Sequence, residues 1–373
     1  MRGPSEFKMA RVSPLHLDMD CFRMVAIALL GGSGFIGSNF AQFLTSCDGY
    51  RVSSFDLNDK KLRLRFENKA YAFQRLDIRD SGSELDRVVA EADVVVNLAA
   101  HVRPGSFLLK PLEIVDLNFY SSISVVEACI RHKKFLVHFS TSEVYGKTGG
   151  SPEPFREDLS DCILGPVANH RWIYSSAKQL LDRIIHAHGL ANTLDYLIVR
   201  PFNFVGPLMD EVVPRWTRED NPRVLANFMS SLIYNRPIQL VNGGHSRRCF
   251  TYILDAVAAL ELLIRRRHDI NRQIVNIGNP ANETSMADLA SRLIRIYRTH
   301  CDPTADVAIE EVASEDFYGP GYEDCDRRVP DISKLTRLGW IPRYDLEETF
   351  TSSAIYFYEN RRRLENLLHR EPK

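Results

Sequence analysis

The stretch VAIALLGGSGFIGSNF, Val25 to Phe40, decides how the rest of the chain is read. Six apolar residues, far too few to span a membrane, end on glycines at positions 31, 34 and 37, and a helix-period pattern opens at Phe35. Glycines between a strand and a helix let the backbone turn tightly, approach a pyrophosphate and pack helix on strand. Free N–H groups at the helix start then attract the phosphates. A ligand-free glycine turn would look the same in isolation, and the acid at the end of the next strand separates the two. Asp56 in SSFDLND stands 19 residues beyond Gly37, where a carboxylate receives ribose hydroxyls. Its charge would repel a 2′-phosphate, so NAD is favoured over NADP. Asp77 and Ile78, at the third strand end, are placed to flank the adenine.

Outward from this stretch, short apolar runs alternate with longer amphipathic ones. VAIALL, RVSSFD, AFQRLD, DVVVNLAA, KFLVHFST and LDYLIVRP read as strands. Phe35 to Thr45, Ser83 to Ala90, Leu112 to His132 and Ser175 to His188 read as the helices between them. The expected fold is α/β: a Rossmann-type doubly wound parallel sheet with a smaller mixed α/β C-terminal lobe that binds substrate. Residues 24–203 form the dinucleotide-binding domain, 236–275 pack back onto it, and 204–235 with 276–373 form the lobe. In the lobe RVLANFMSSLIYN and SMADLASRLIRIYRTH read as helices, IQLVNG and QIVNIGNP as strands. Residues 1–23 show no sustained periodicity and are set aside as a leader.

In 373 residues, 47 Lys and Arg nearly balance 48 Asp and Glu, so no large net field recommends nucleic acid or an anionic membrane as partner. The expected ligand is small. Seven scattered cysteines without a C-x-x-C pair suggest no metal site and read as reduced thiols of a cytoplasmic protein.

YSSAK places Tyr174 and Lys178 four apart at a helix start, on one face. An ammonium beside a phenol favours the phenolate and lowers its pKa from about 10 toward the range of a general base. A lone Y-x-x-x-K is common in helices. Here it follows a dinucleotide fingerprint and a strand-end STSEVYG, Ser140 to Gly146, whose hydroxyls suit the same oxygen.

Together GGSGFIG, NLAA, STSEVYG, YSSAK and RPFN resemble the extended short-chain dehydrogenase/reductase family acting on nucleotide sugars. The longer stretches GPVANHRWIYSSAKQLLDR, RPFNFVGP, GGHSRRCFTYILDAVAAL and FYGPGYEDCDRRVPDI are similar to those of UDP-glucuronate decarboxylases and UDP-apiose/UDP-xylose synthases. The resemblance implies NAD held by Gly31, Gly34, Phe35, Ile36, Gly37, Asp56, Asp77, Ile78, Leu98, Ala99, Tyr174 and Lys178. It implies a UDP-glucuronate substrate held by Arg171, Asn203, Arg223, Arg248 and Tyr322, and catalysis by Thr141, Ser142, Glu143, Tyr174, Lys178 and Arg328. Relatives usually form homodimers, and LNFYSSISVVEACIRH with SSAKQLLDRIIHAHG are the helices nominated for the interface.

Glu143 discriminates among outcomes within the family. A 4,6-dehydratase of this type carries an Asp-Glu pair, and Ser142 stands where the Asp would be. A 4-epimerase usually carries a small or hydroxyl residue where Glu143 stands. A carboxylate facing a substrate carboxylate suits decarboxylation instead. The alternatives are apiose/xylose synthesis, C4 epimerisation without loss of carbon dioxide and, from another class, an NAD-sensing binding protein. The apiose/xylose synthases carry cysteines where this chain has Val102 and Ser142, and a tyrosine where it has Phe107.

Overall fold

Seven strands form the parallel sheet that the alternation predicts: β1 (Val25–Leu30), β2 (Tyr50–Asp56), β3 (Phe73–Arg75), β4 (Val94–Asn97), β5 (Phe135–Phe139), β6 (Tyr196–Pro201) and β7 (Gln273–Ile277). Their order is β7-β6-β5-β4-β1-β2-β3. The computed structural model describes residues 24–66, 69–80 and 82–368, so the leader 1–23 lies outside the described residues. The chain runs from β1 out to β3, then returns to β4 on the other side of β1. That reversal opens a crevice at the carboxyl ends of β1 and β4, where such sheets bind ligands.

Every residue of β4 and β5 is buried, because helices cover both faces of the sheet. One face (Ile27, Leu29, Val94, Val96, Val137, Val199) packs under α1 (Phe35–Thr45) and the helix Ile253–Arg265. The other (Ala28, Leu30, Val95, Leu136, Ile198) packs under Gly82–Glu91, α2 (Ser121–His132) and α3 (Ile173–Leu190).

Three local features differ from the sequence reading. The helix expected from Leu112 to His132 runs as Pro111–Val115, a wider π turn at Asp116–Tyr120, and then α2. Asn118 in that turn accepts from the His101 N–H at 3.2 Å and donates to the His101 carbonyl at 3.3 Å, pinning the loop after β4. A short helix at Lys60–Phe66 went unread, though its Leu62, Leu64 and Phe66 are buried. The span 236–275 also divides. Ile238–Val241 pairs with Ile309–Val312 outside the main sheet, Ile253–Arg265 covers the sheet face beside α1, and β7 joins β6.

In the second lobe, Arg247–Cys249 pairs antiparallel with Glu283–Ser285 and parallel with Arg327–Arg328. The register sets Arg328 opposite Arg248, so two arginines 80 positions apart arrive side by side.

A prediction follows from the glycine turn. A Cβ at Gly37 would lie 2.5 Å from the Gly31 carbonyl oxygen, whereas one at Gly82 would meet nothing within 4 Å. Gly37→Ala is expected to cost about 1 to 3 kcal/mol of stability and to weaken NAD binding, with Gly82→Ala near neutral in both. Thermal denaturation and NAD titration check this.

Candidate active site

Gly31 ends β1 with φ +79, a left-handed conformation suited to glycine, and a Cβ there would lie 2.8 Å from the Ala99 nitrogen. The turn can therefore sit flush against the backbone after β4. Gly34 precedes α1, whose first turn holds no acidic residue, so its positive end is left for an anion. Asp56 accepts from the Ser33 N–H at 2.9 Å and from the Leu57 N–H at 2.7 Å, tying the glycine loop to β2. Burial pushes its carboxyl up, and those N–H groups pull it back.

A cleft of about 1170 Å³ runs from this turn to the second lobe. Gly31, Gly34, Phe35, Ile36, Gly37 and Leu98 line the end at the glycine turn, and Thr141, Ser142, Glu143 and Tyr174 its middle. Arg171, Asn203, Arg223, Arg248, Tyr322 and Arg328 line the rest. Asp56, Asp77, Ile78, Ala99 and Lys178 stand outside this lining. Asp77 is gripped by its neighbour Arg79, whose Nε donates at 2.9 Å and whose hydrogen bond draws the carboxyl down. Ile78 is buried.

Thr141 caps the turn Ser142–Tyr145 by accepting from the Glu143 N–H at 3.1 Å, which aims the Glu143 side chain. Across from it, Tyr174 stacks face to face on Phe107, with centroids 4.5 Å apart and planes 6° from parallel. The lysine effect expected on the phenol is not found. Burial pushes Tyr174 well above its ordinary pKa and Glu143 adds to the rise, while the Thr141 hydroxyl, Arg171 and Arg223 pull the other way. Lys178 donates instead to the Phe139 carbonyl at 3.0 Å. Burial brings its ammonium down to about 8, opposed by Asp182 one turn later. Asp182 in turn accepts from Ser140 at 2.9 Å and Arg200 at 3.0 Å.

The end of the cleft away from the glycine turn is an ion cluster. Arg171, almost wholly withdrawn from water, meets both Glu143 oxygens at 2.8 Å and lies 3.8 Å from Asp324. Arg248 reaches Asp324 at 2.6 Å, and Arg328 reaches it at 3.2 Å and Glu143 at 3.7 Å. Burial alone would raise the Asp324 carboxyl, but Arg248, Arg171 and Arg328 hold it well below the usual range. Tyr322 stacks on Tyr318 at 3.8 Å and lies under the Arg171 guanidinium, 5.5 Å from centroid to carbon. Three guanidinium groups face two carboxylates, leaving an excess of positive charge that suits an anionic ligand.

Arg223, expected beside Arg248 on one diphosphate, is held separately by Asp210 at 2.8 and 3.0 Å. Asn203 has φ +38 and donates to the Cys249 carbonyl at 3.2 Å. Sequence reasoning missed Asp324, Asp210 and Lys61, all in the cleft wall. Asp324 lay inside the quoted stretch FYGPGYEDCDRRVPDI, and a partner search for its arginines would have found it.

Lys178 carries a pH prediction. Its folded pKa lies below its ordinary 10.5, so between about 8 and 10.5 the unfolded chain binds the extra proton and stability rises with pH. Lys178→Met should melt at or above wild type at pH 7, and that advantage should shrink as pH rises through this window. Melting curves across pH check it.

The NAD dependent epimerase/dehydratase family matches residues 27–278. The chain is 38% identical over 365 residues to UDP-D-apiose/UDP-D-xylose synthase of Oryza sativa subsp. japonica, covering 92% of this chain and 91% of that one. It is 33% identical over 340 residues to the bifunctional polymyxin resistance protein ArnA of Wigglesworthia glossinidia brevipalpis, covering 90% of this chain and 51% of that protein. The crystal structure of PbgP3 protein from Burkholderia pseudomallei superposes with a TM-score of 0.80 at 28% identity, covering 92% of this chain and 99% of that one.

Proposed function

The chain belongs to the NAD dependent epimerase/dehydratase family, and from that premise we propose that it oxidises UDP-glucuronate at carbon 4 and then releases the carboxyl group as carbon dioxide. The products are a UDP-4-keto-pentose and, after return of the hydride, UDP-xylose. One observation carries this reading: Glu143, Arg171 and Arg328 form a charged cluster in the cleft that also holds Tyr174.

The glycine turn leaves room a Cβ would fill, and the helix end beside it holds no acid, so both fit a dinucleotide diphosphate. NAD, when bound, supplies a hydride acceptor and donor for carbon 4. Tyr174 takes the proton from the 4-hydroxyl, with Lys178 as the ammonium on its helix. In the resulting ketone the carboxylate is β to a carbonyl. The bond from carbon 5 to the carboxyl carbon breaks, and its electrons pass into an enolate. Thr141, Ser142 and the protonated Tyr174 donate to that oxyanion. Arg171 and Arg328 orient the carboxylate, and Glu143 disfavours retention of its charge. Carbon 5 then takes up a proton.

A second reading, UDP-apiose formation alongside UDP-xylose, is favoured by the likeness to the rice synthase. Ser142 and Val102, in place of cysteines, weigh against it. Two further points belong to the proposal. Tyr120 and Leu180 stand 63% and 50% exposed on the nominated helical surface, which a second copy of the chain would cover. The described cysteines are free thiols, in keeping with a reducing, cytoplasmic setting. Among the described residues no helix is long and apolar enough to cross a membrane.

The test is UDP-glucuronate labelled with ¹³C at its carboxyl carbon, incubated with NAD and followed by NMR. Label is expected in carbon dioxide and bicarbonate, with UDP-xylose or its 4-ketone as product. UDP-galacturonate retaining the label would establish epimerisation instead, and UDP-apiose the second reading. Leu180→Glu should convert a dimer to a monomer by light scattering.

A further inference from the structure

Asp324 has no role in the reaction as proposed, yet it holds more arginines than any other carboxylate in the cleft. Its Oδ2 lies 2.6 Å from Arg248, and its Oδ1 lies 3.2 Å from Arg328 and 3.8 Å from Arg171. The three guanidinium side chains keep only 8%, 3% and 1% of their surface exposed, while the Asp324 side chain keeps 30%. The arginines are thus locked in place, and Asp324 is the most exposed member of the cluster, ahead of Glu143 at 17%. It sits just after Gly319 and Gly321, both with positive φ. Glu143 differs, because both of its oxygens close on Arg171 alone at short range.

From this geometry we propose that Asp324 is a resident anion that competes with the ligand's own anionic groups for Arg248 and Arg328. The proposal rests on the reading of the cleft as a nucleotide-sugar site. Three like charges withdrawn from water repel one another, and a carboxylate among them offsets that cost. An incoming phosphate or carboxylate presents the same paired oxygens to the same forks. Binding therefore exchanges one anion for another. Asp324 sets the threshold: a ligand without strongly anionic groups does not displace it. Arg223, paired with Asp210, is outside this exchange.

The test is calorimetric titration of UDP into the NAD-saturated protein, which involves neither the sugar nor any chemistry. Asp324→Asn and Asp324→Ser should bind UDP about five- to tenfold tighter than wild type, as expected for removing one competing charge from a partly buried site. Asp324→Glu, which keeps the charge, should stay within about twofold of wild type. Damage to a scaffold does not tighten binding, so a gain separates competition from a merely structural role. If one neutral variant fails to fold, the other carries the comparison. Equal or weaker UDP binding by the neutral variants overturns the proposal and makes Asp324 a support for the arginines. A wild type that binds no UDP overturns the nucleotide-sugar reading and this proposal together, and only the wild-type arm reports that result.

Discussion

Arg171 is a guanidinium taken out of water, and such a charge is tolerable only with carboxylates around it. The carboxylates come from opposite sides of the cleft: Glu143 from the turn after β5, Asp324 from the second lobe. Removing one partner of a buried pair of this kind typically costs about 3 to 5 kcal/mol. Arg171 also lies three residues before Tyr174, on the short turn that leads into α3. One buried charge therefore links the sheet, the helix carrying the tyrosine and the lobe carrying Arg248 and Arg328. With a carboxylate from each element against it, that charge keeps one partner when the other is lost.

Around this link, opposed electrostatic conditions stand close together. Tyr174 is pressed against Phe107 and dried, which raises its pKa, while Lys178 is dried and brought down toward neutrality. Tyr174 and Lys178 are both pushed toward their neutral forms, whereas the arginine cluster beside them stays ionised. In the proposed reaction, proton transfer and anion binding thus occupy neighbouring parts of one cleft without neutralising each other.

The parts legible in the sequence were those governed by local rules. Strand periodicity located all seven main strands, though QIVNIGNP was assigned to the lobe, and the glycine spacing located the turn at the β1–β4 crevice, because each signal lies within a dozen or so neighbouring residues. Resemblance located the arginines. Asp324 and Asp210 stayed invisible, since a single acid announces itself only through a partner, and the partners of Asp324 include Arg171 and Arg248, far away in the chain. The π turn at Asp116–Tyr120 has no periodicity distinct from a helix, and the tertiary bonds of Asn118 hold it. The stacking of Phe107 on Tyr174 likewise joins residues from separate elements, so the missing hydroxyl was readable but its consequence for the phenol was not.

The central claim is that the cluster around Arg171 acts on the substrate carboxylate while Tyr174 serves the oxidation, so the two functions should come apart at Glu143. Single-turnover mixing of Glu143→Gln with NAD and carboxyl-labelled UDP-glucuronate, following nicotinamide reduction and released label together, tests this most directly. The account predicts that NADH forms at a rate near that of wild type while release of labelled carbon dioxide falls at least tenfold. Loss of both signals in parallel, or undiminished release of carbon dioxide, would contradict it.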